Sequence, residues 1–220
     1  MLSWVPELLD AHTVEAFRER IAKLPFKDGL STLKQGNPNA KHNQQLDSQN
    51  PEAQALGREI IERLLGHPEV RRIAIPRSVR HPLIARYSDG MHYARHVDQP
   101  VMGGVNPTRT DFACTLWLTA PESYAGGELV IHQGAETQRL KGEAGSLLLY
   151  PACSLHEVTP VTSGTRLVAV TWLQSLVRDH EARRILAGLD DVQRGMDPAS
   201  ETAERLTALY NQLLRYHAEV

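Results

Sequence analysis

Tyr93-Ala94-Arg95-His96-Val97-Asp98 reads as a β-strand. If it is one, the side-chain period of two puts His96 and Asp98 on the same face. An imidazole and a carboxylate side by side are two thirds of a 2-His-1-carboxylate metal site. That facial arrangement suits non-heme Fe(II), because three coordination positions stay open for substrate chemistry. Alone, His-x-Asp is a weak signal, so the surrounding chain has to supply a fold that holds it and a third ligand.

Outward from this stretch, residues from about 82 to 174 form short apolar runs separated by turn signals. The runs are Ile84 to Tyr87, Tyr93 to Asp98, Phe112 to Thr119, Glu128 to His132, Thr137 to Leu140, Ser146 to Tyr150, Leu155 to Val161 and Thr165 to Trp172. Gly103-Gly104, Asn106-Pro107, Gly126-Gly127 and Ser163-Gly164 punctuate them. Many short strands at this spacing predict a sandwich or jelly roll. No helical pattern lies between them, which excludes parallel βαβ units.

Helices flank this block. Val14, Phe17, Ile21 and Leu24 recur at helical spacing between residues 10 and 24, before Pro25. Asn50 can cap a second helix with Pro51 in its first turn, a stripe of Leu56, Ile60 and Leu64, and Gly66 and Pro68 at its end. Between Arg71 and Arg80 the chain then reads as a strand, with Ile73, Ile75 and Val79 alternating against polar neighbours. The polar stretch Lys27 to Asn50, with Gly36 and Asn37-Pro38 as turns, reads as a loop or as short strands with polar faces, and Lys41-His42-Asn43-Gln44-Gln45 as solvated chain or a cleft wall. After Trp172 the pattern turns helical, with Asp197-Pro198 as a helix start and Leu206, Leu209, Leu213 and Tyr216 on one face. The expected division is 1–77 as a helical and α+β support region, 78–176 as the jelly-roll domain and 177–220 as a helical extension.

Composition narrows the function classes. With 220 residues, 41% hydrophobic and 23% charged, the chain can bury a substantial core. A net charge of −2 and 5% aromatic content weigh against a nucleic-acid groove. No apolar run is long enough to span a bilayer, and the first residues lack the pattern of a secretory signal. Cys114 and Cys153 form no Cys-x-x-Cys, and two reduced thiols in a cytoplasmic protein are expected.

The third ligand is expected at His156, in Ser154-Leu155-His156-Glu157-Val158, because distant strands of a jelly roll meet at its mouth. Of the other histidines, His132 reads as a solvent or cleft residue. His12, His42, His67, His180 and His217 read as surface residues, and His81 and His92 sit beside turns. Arg166 lies ten residues beyond His156 and heads an apolar strand. A guanidinium at the edge of a buried strand needs a partner, and its fork suits a carboxylate. That partner is either a nearby acidic side chain or the distal carboxylate of 2-oxoglutarate, whose other end would chelate Fe(II) and leave one position for O2.

His96-x-Asp98, His156 and Arg166 resemble the Fe(II)/2-oxoglutarate dioxygenases of the prolyl-hydroxylase-like branch, and Thr165 to Trp172 looks like that branch's last core strand. Tyr124-Ala125-Gly126-Gly127-Glu128-Leu129 and Leu149-Tyr150-Pro151 through Val161-Thr162 resemble the bacterial PKHD-type hydroxylases. So do Arg109-Thr110-Asp111, Gln174 to Asp179 and Lys41 to Leu46. Phe26-Lys27-Asp28-Gly29 and Phe112-Ala113 depart from the usual pattern. The resemblance implies a mainly β protein with flanking helices, built on a double-stranded β-helix (jelly roll). It implies Fe(2+) held by His96, Asp98 and His156, 2-oxoglutarate held by Arg166, and L-ascorbate as reductant. Tyr87 is expected to hydrogen-bond the co-substrate beside Arg166, with Trp117, Leu129 and Trp172 lining its pocket. The implied reaction hydroxylates an unactivated C–H bond of a peptidyl residue or small metabolite, releasing succinate and CO2. A non-catalytic metal or 2-oxoglutarate sensor and a nucleic-acid demethylase are the alternatives. The Gln99 to Thr108 loop is a candidate lid, and the last helix a candidate homodimer surface.

Overall fold

Two antiparallel sheets face one another, as a computed structural model of the chain shows; it describes residues 2–32 and 40–220. The turn signals at Gly36 and Asn37-Pro38 lie outside the described residues. In chain order the strands are β1 (Ser3–Val5), β2 (Phe26–Asp28), β3 (Lys41–His42), β4 (Gln44–Leu46), β5 (Pro76–Val79), β6 (Leu83–Tyr87), β7 (His92–His96), β8 (Val101–Met102), β9 (Thr108–Arg109), β10 (Phe112–Trp117), β11 (Tyr124–Gly126), β12 (Leu129–Gln133), β13 (Glu136–Leu140), β14 (Leu147–Pro151), β15 (Leu155–Val158), β16 (Val161–Gly164) and β17 (Arg166–Ser175). The helices are α1 (Ala11–Ala22), α2 (Pro51–Gly66), α3 (Pro68–Ala74), α4 (His180–Arg194) and α5 (Glu201–His217).

The larger sheet runs β1-β14-β10-β17-β6-β4-β2, with β5 also on β17. The smaller runs β13-β12-β15-β7-β3. Strand alternation divides the apolar residues between two cores. On β17, Leu167, Ala169 and Leu173 face outward, where α1 and α2 cover them with Phe17, Ile21, Leu56 and Ile60. Val168, Val170 and Trp172 face inward, between the sheets, with Trp117, Leu129, Leu148 and Val158. The helices thus cover one face of the larger sheet, and the smaller sheet closes the other. A third cluster packs α4 and α5 around Val177 and Leu186.

Some sequence expectations need correction. Residues 71 to 74 are helical, not strand: His67 accepts a hydrogen bond from the Glu69 amide, and Pro68 opens α3. Ser163-Gly164 is part of β16, paired with β11, rather than a turn. The last helix is capped by Ser200, whose side chain accepts from the Ala203 amide, not by Asp197. Its packed side is Tyr210, Leu213 and Leu214, while Leu209 and Tyr216 point to solvent. Strand β7 stops at His96, so Asp98 lies beyond the ladder. Among the described residues no helix is long and apolar enough to cross a membrane.

Candidate active site

His96 and His156 come together because their strands are neighbours. Strands β7 and β15 pair antiparallel, with His96 opposite His156 and Tyr93 opposite Val158. Three steps along β7 thus match two along β15, which is a β-bulge. The bulge turns both Tyr93 and His96 inward, and their rings stack with centroids 3.7 Å apart. Simple alternation would have placed them on opposite faces. Asp98, just past the strand, folds back so that its carboxylate lies 3.8 Å from His96 Nε2 and 3.9 Å from His156 Nε2. One ligand atom from each of the three lies within 4.8 Å of the others.

Backbone carbonyls fix the rings. His96 Nδ1 is 2.8 Å from the Ala94 carbonyl and His156 Nδ1 is 2.9 Å from that of Ser154. In neutral imidazoles, Nδ1–H donates to these oxygens and the Nε2 lone pairs aim at the shared point. Burial, and then His156 alongside, lowers the His96 pKa to about 4. Burial raises that of Asp98, while His156, Trp172 and Lys41 favour its charged form. A buried carboxylate beside two imidazoles whose Nε2 atoms face it is an N2O donor set with one negative charge when Asp98 is ionised. It fits a divalent transition ion, and the N2O composition suits Fe(II).

The wall of the inter-sheet space supplies the second half. Arg166 opens β17 opposite Tyr87 of β6, with its guanidinium 5.1 Å from the Tyr87 ring centroid. It is 1% exposed, its Nε has no hydrogen-bond partner, and no carboxylate lies within ion-pair distance among the described residues. An uncompensated buried charge costs about 3–5 kcal/mol. Trp117 Nε1 and the Tyr124 hydroxyl, buried beside the arginine, lack hydrogen bonds of standard geometry but lie close to one another, and Tyr124 close to Arg166. Gly127 (φ +62°) leaves room for the arginine stem, since a Cβ there would lie 3.1 Å from Arg166 Cδ. A buried guanidinium with an indole N–H and a phenol beside it fits an incoming carboxylate, as 2-oxoglutarate would bring.

The remaining expected residues all reach this space. Tyr87 is buried and its hydroxyl accepts from Asn43 Nδ2 at 2.8 Å. Leu129 packs among the inward residues with Trp117. The Trp172 indole N–H lacks a partner of standard geometry but lies close enough to Asp98 to favour its ionised form. Sequence reading missed Tyr93, Tyr124 and Tyr150, and had Asn43 only within a candidate cleft wall. Tyr150 faces His156 edge-on at 5.3 Å, and Lys41, considered only as cleft wall, is buried with its ammonium 5.2 Å from the Tyr93 centroid. Desolvation lowers the Lys41 pKa to about 8. The inward parity of Tyr150 on Leu147–Pro151 was available as a signal; Tyr93 needed the bulge. Of the other histidines, His67 caps α3 and His132 meets Glu157 at 3.2 Å.

A model of the 2OG-Fe(II) oxygenase superfamily matches residues 82–174. The chain is similar over its whole length to a PKHD-type hydroxylase of Shewanella baltica (strain OS185), 41% identical over 225 residues and covering 100% of both chains. A PKHD-type hydroxylase of Stenotrophomonas maltophilia (strain R551-3) is 40% identical over 227 residues, again covering 100% of both. Among solved structures, a prolyl-4-hydroxylase of Pseudomonas putida shares the fold with a TM-score of 0.56, at 18% identity, over 79% of this chain and 92% of that one.

Proposed function

We propose residue roles and a reaction course from the premise that this chain belongs to the PKHD-type hydroxylases of the 2OG-Fe(II) oxygenase superfamily. It is a 2-oxoglutarate-dependent dioxygenase that hydroxylates an unactivated C–H bond and releases succinate and CO2. The observation that carries the roles is the cluster of His96, Asp98 and His156 on the same inter-sheet side as the guanidinium of Arg166, whose Nε is unpaired, with Tyr150 close enough to feel both Asp98 and Arg166.

In the proposed site His96, Asp98 and His156 hold Fe(II), and Arg166 binds the distal carboxylate of 2-oxoglutarate. Bound there, the iron supplies O2 activation coupled to oxidative decarboxylation, one oxygen atom entering succinate and the other the substrate. The chain's own work is positioning. The Ala94 and Ser154 carbonyls keep both Nδ1 atoms protonated, so Nε2 stays a lone-pair donor. Tyr124 and Trp117 add donors beside Arg166, and Tyr87 keeps its own O–H to give because Asn43 is the donor in their bond. Leu129, Val158 and Val168 exclude water. The Trp172 N–H favours the carboxylate form of Asp98. Ascorbate is the reductant by family resemblance. A homodimer through α5 stays an expectation, which sedimentation would check.

Asp98→Ala removes the one anionic ligand. It is expected to abolish iron-dependent 2-oxoglutarate consumption, read as succinate release. Full retention of turnover would sink the triad assignment. A sensor or a vestigial module differs in having no succinate release in the wild type with any substrate pool.

A further inference from the structure

We infer that Arg80 is a specificity-determining residue that grips a carboxylate of the substrate, so the substrate is a carboxylate-bearing molecule hydroxylated near that acid group. The inference rests on the reaction proposed above for where the reacting centre lies.

Four observations carry it. The first is register. On β5, Val79 pairs with Leu173 and shares its outward face. Arg80 follows, and its amide donates to the Trp172 carbonyl at 2.8 Å. It therefore projects to the inward face with Trp172, whose indole N–H interacts with Asp98. The second is fixation: the Arg80 carbonyl accepts from the Thr171 hydroxyl, so both backbone polar groups are tied to β17. The third is the neighbouring hairpin. The hairpin β8–β9 follows directly from Asp98 and brings Gly103 (φ +98°) against the guanidinium. A Cβ on Gly103 would lie 3.0 Å from Arg80 Nη1 and 2.7 Å from the Asn106 carbonyl. Only glycine allows this approach.

The fourth is that Arg80 is half-buried and has no side-chain hydrogen bond or carboxylate partner among the described residues. The contrast is Arg109, at the base of the same hairpin. It is engaged by Asp111 at 2.9 Å, Glu219 at 2.6 Å and the Ser175 carbonyl at 3.2 Å. Arg109 holds the hairpin; Arg80 is left for a ligand. Lys41 on the smaller sheet adds a second positive charge near Asp98. A planar fork under a closing turn suits a carboxylate bidentately. The reacting carbon would then sit between that anchor and the metal ligands, with Trp172 beside it.

The test uses the full chain loaded with Zn(II), which permits binding without turnover, and saturated with 2-oxoglutarate. Binding is read by saturation-transfer NMR with three pools: N-acetyl amino acids, their primary amides without the acidic members, and the amides of N-acetyl aspartate and glutamate. The first pool offers an α-carboxylate, the third a side-chain carboxylate, the second neither. At least fivefold stronger transfer is expected to one carboxylate pool than to the neutral pool. Arg80→Gln should abolish that preference, and Arg80→Lys, which keeps charge but loses the fork, should retain part of it. Equal transfer to all pools, including none, overturns the inference. So does a preference that survives Arg80→Gln, or, should that variant not fold, one undiminished in Arg80→Lys. Failure of the wild type to bind 2-oxoglutarate would count against the reaction reading instead.

Discussion

Arg166 combines deep burial with an unpaired Nε, and in the proposed site an incoming carboxylate offsets that cost. Hydrogen bonds to charged groups contribute about 1.5–3 kcal/mol, or roughly tenfold to a hundredfold in affinity. Arg166→Ala is therefore expected to raise the half-saturating 2-oxoglutarate concentration at least tenfold in succinate-release assays. An unchanged requirement would mark the arginine as structural. The two thiols differ as sharply. Cys114 is fully buried, and burial pushes its pKa up to about 12, whereas Cys153 is exposed. The buried Cys114 therefore stays a thiol at pH 8. Titration with Ellman's reagent should count one fast thiol in the native protein and two in denaturant. Raising the pH to 9 should leave Cys114 unreactive, since its pKa is still far above.

At the scale of elements, β7 shows how local irregularity builds a site. A regular strand would have turned Tyr93 away from His96; the bulge opposite β15 stacks them. The sequence carries no turn residue there, so alternation alone misplaces Tyr93. Helix α3 was misread for a related reason. Seven residues are too few to show a helical period, and Ile73, Ile75 and Val79 mimic alternation. The helix ends on Ile75 at φ 43°, an uncommon conformation for a β-branched residue that no composition signal announces. Helix α2 was legible because its signals agree: Asn50 accepts from the Glu52 and Ala53 amides, Pro51 opens the first turn, and Leu56, Ile60 and Leu64 are buried. Asn50→Ala is expected to cost about 1 kcal/mol. The thermal midpoint should then drop by about 2–4 °C, and a drop below 1 °C would assign the start of α2 to packing alone.

Across the whole molecule, the C-terminal tail is stitched to the mouth of the sheets. The Glu219 amide donates to the Leu176 carbonyl at 2.7 Å, and its carboxylate meets Arg109, which binds Asp111 at the edge of β17. The helical extension thus braces the strand carrying Arg166 and the base of the hairpin beside Asp98. Metal binding should be felt by the entire fold, because His96 and Asp98 lie on one side of the β7–β15 pairing and His156 on the other. A divalent ion at a hundred times its Kd adds about 2.7 kcal/mol. Zn(II) or Fe(II) should then raise the unfolding midpoint by about 5–10 °C. Asp98→Ala should remove that rise; a rise of the same size in the variant would place the ion elsewhere.

The sequence by itself determined the antiparallel all-β centre and the flanking helices, and it singled out His96, Asp98, His156 and Arg166 as candidates, of which the fold brings the first three within 4.8 Å of one another. These are legible because period and residue type are local properties. Only the tertiary structure decided which of the remaining polar residues face the same space. Tyr93 turns inward through a bulge that depends on its partner strand. Tyr124 and Trp117 come together beside Arg166 only once β11 and β10 close around it. Arg80 acquires meaning from its register against Trp172 and from the close approach of Gly103. Register, bulges and unpaired buried groups are relations between distant segments, and no single stretch of sequence contains them.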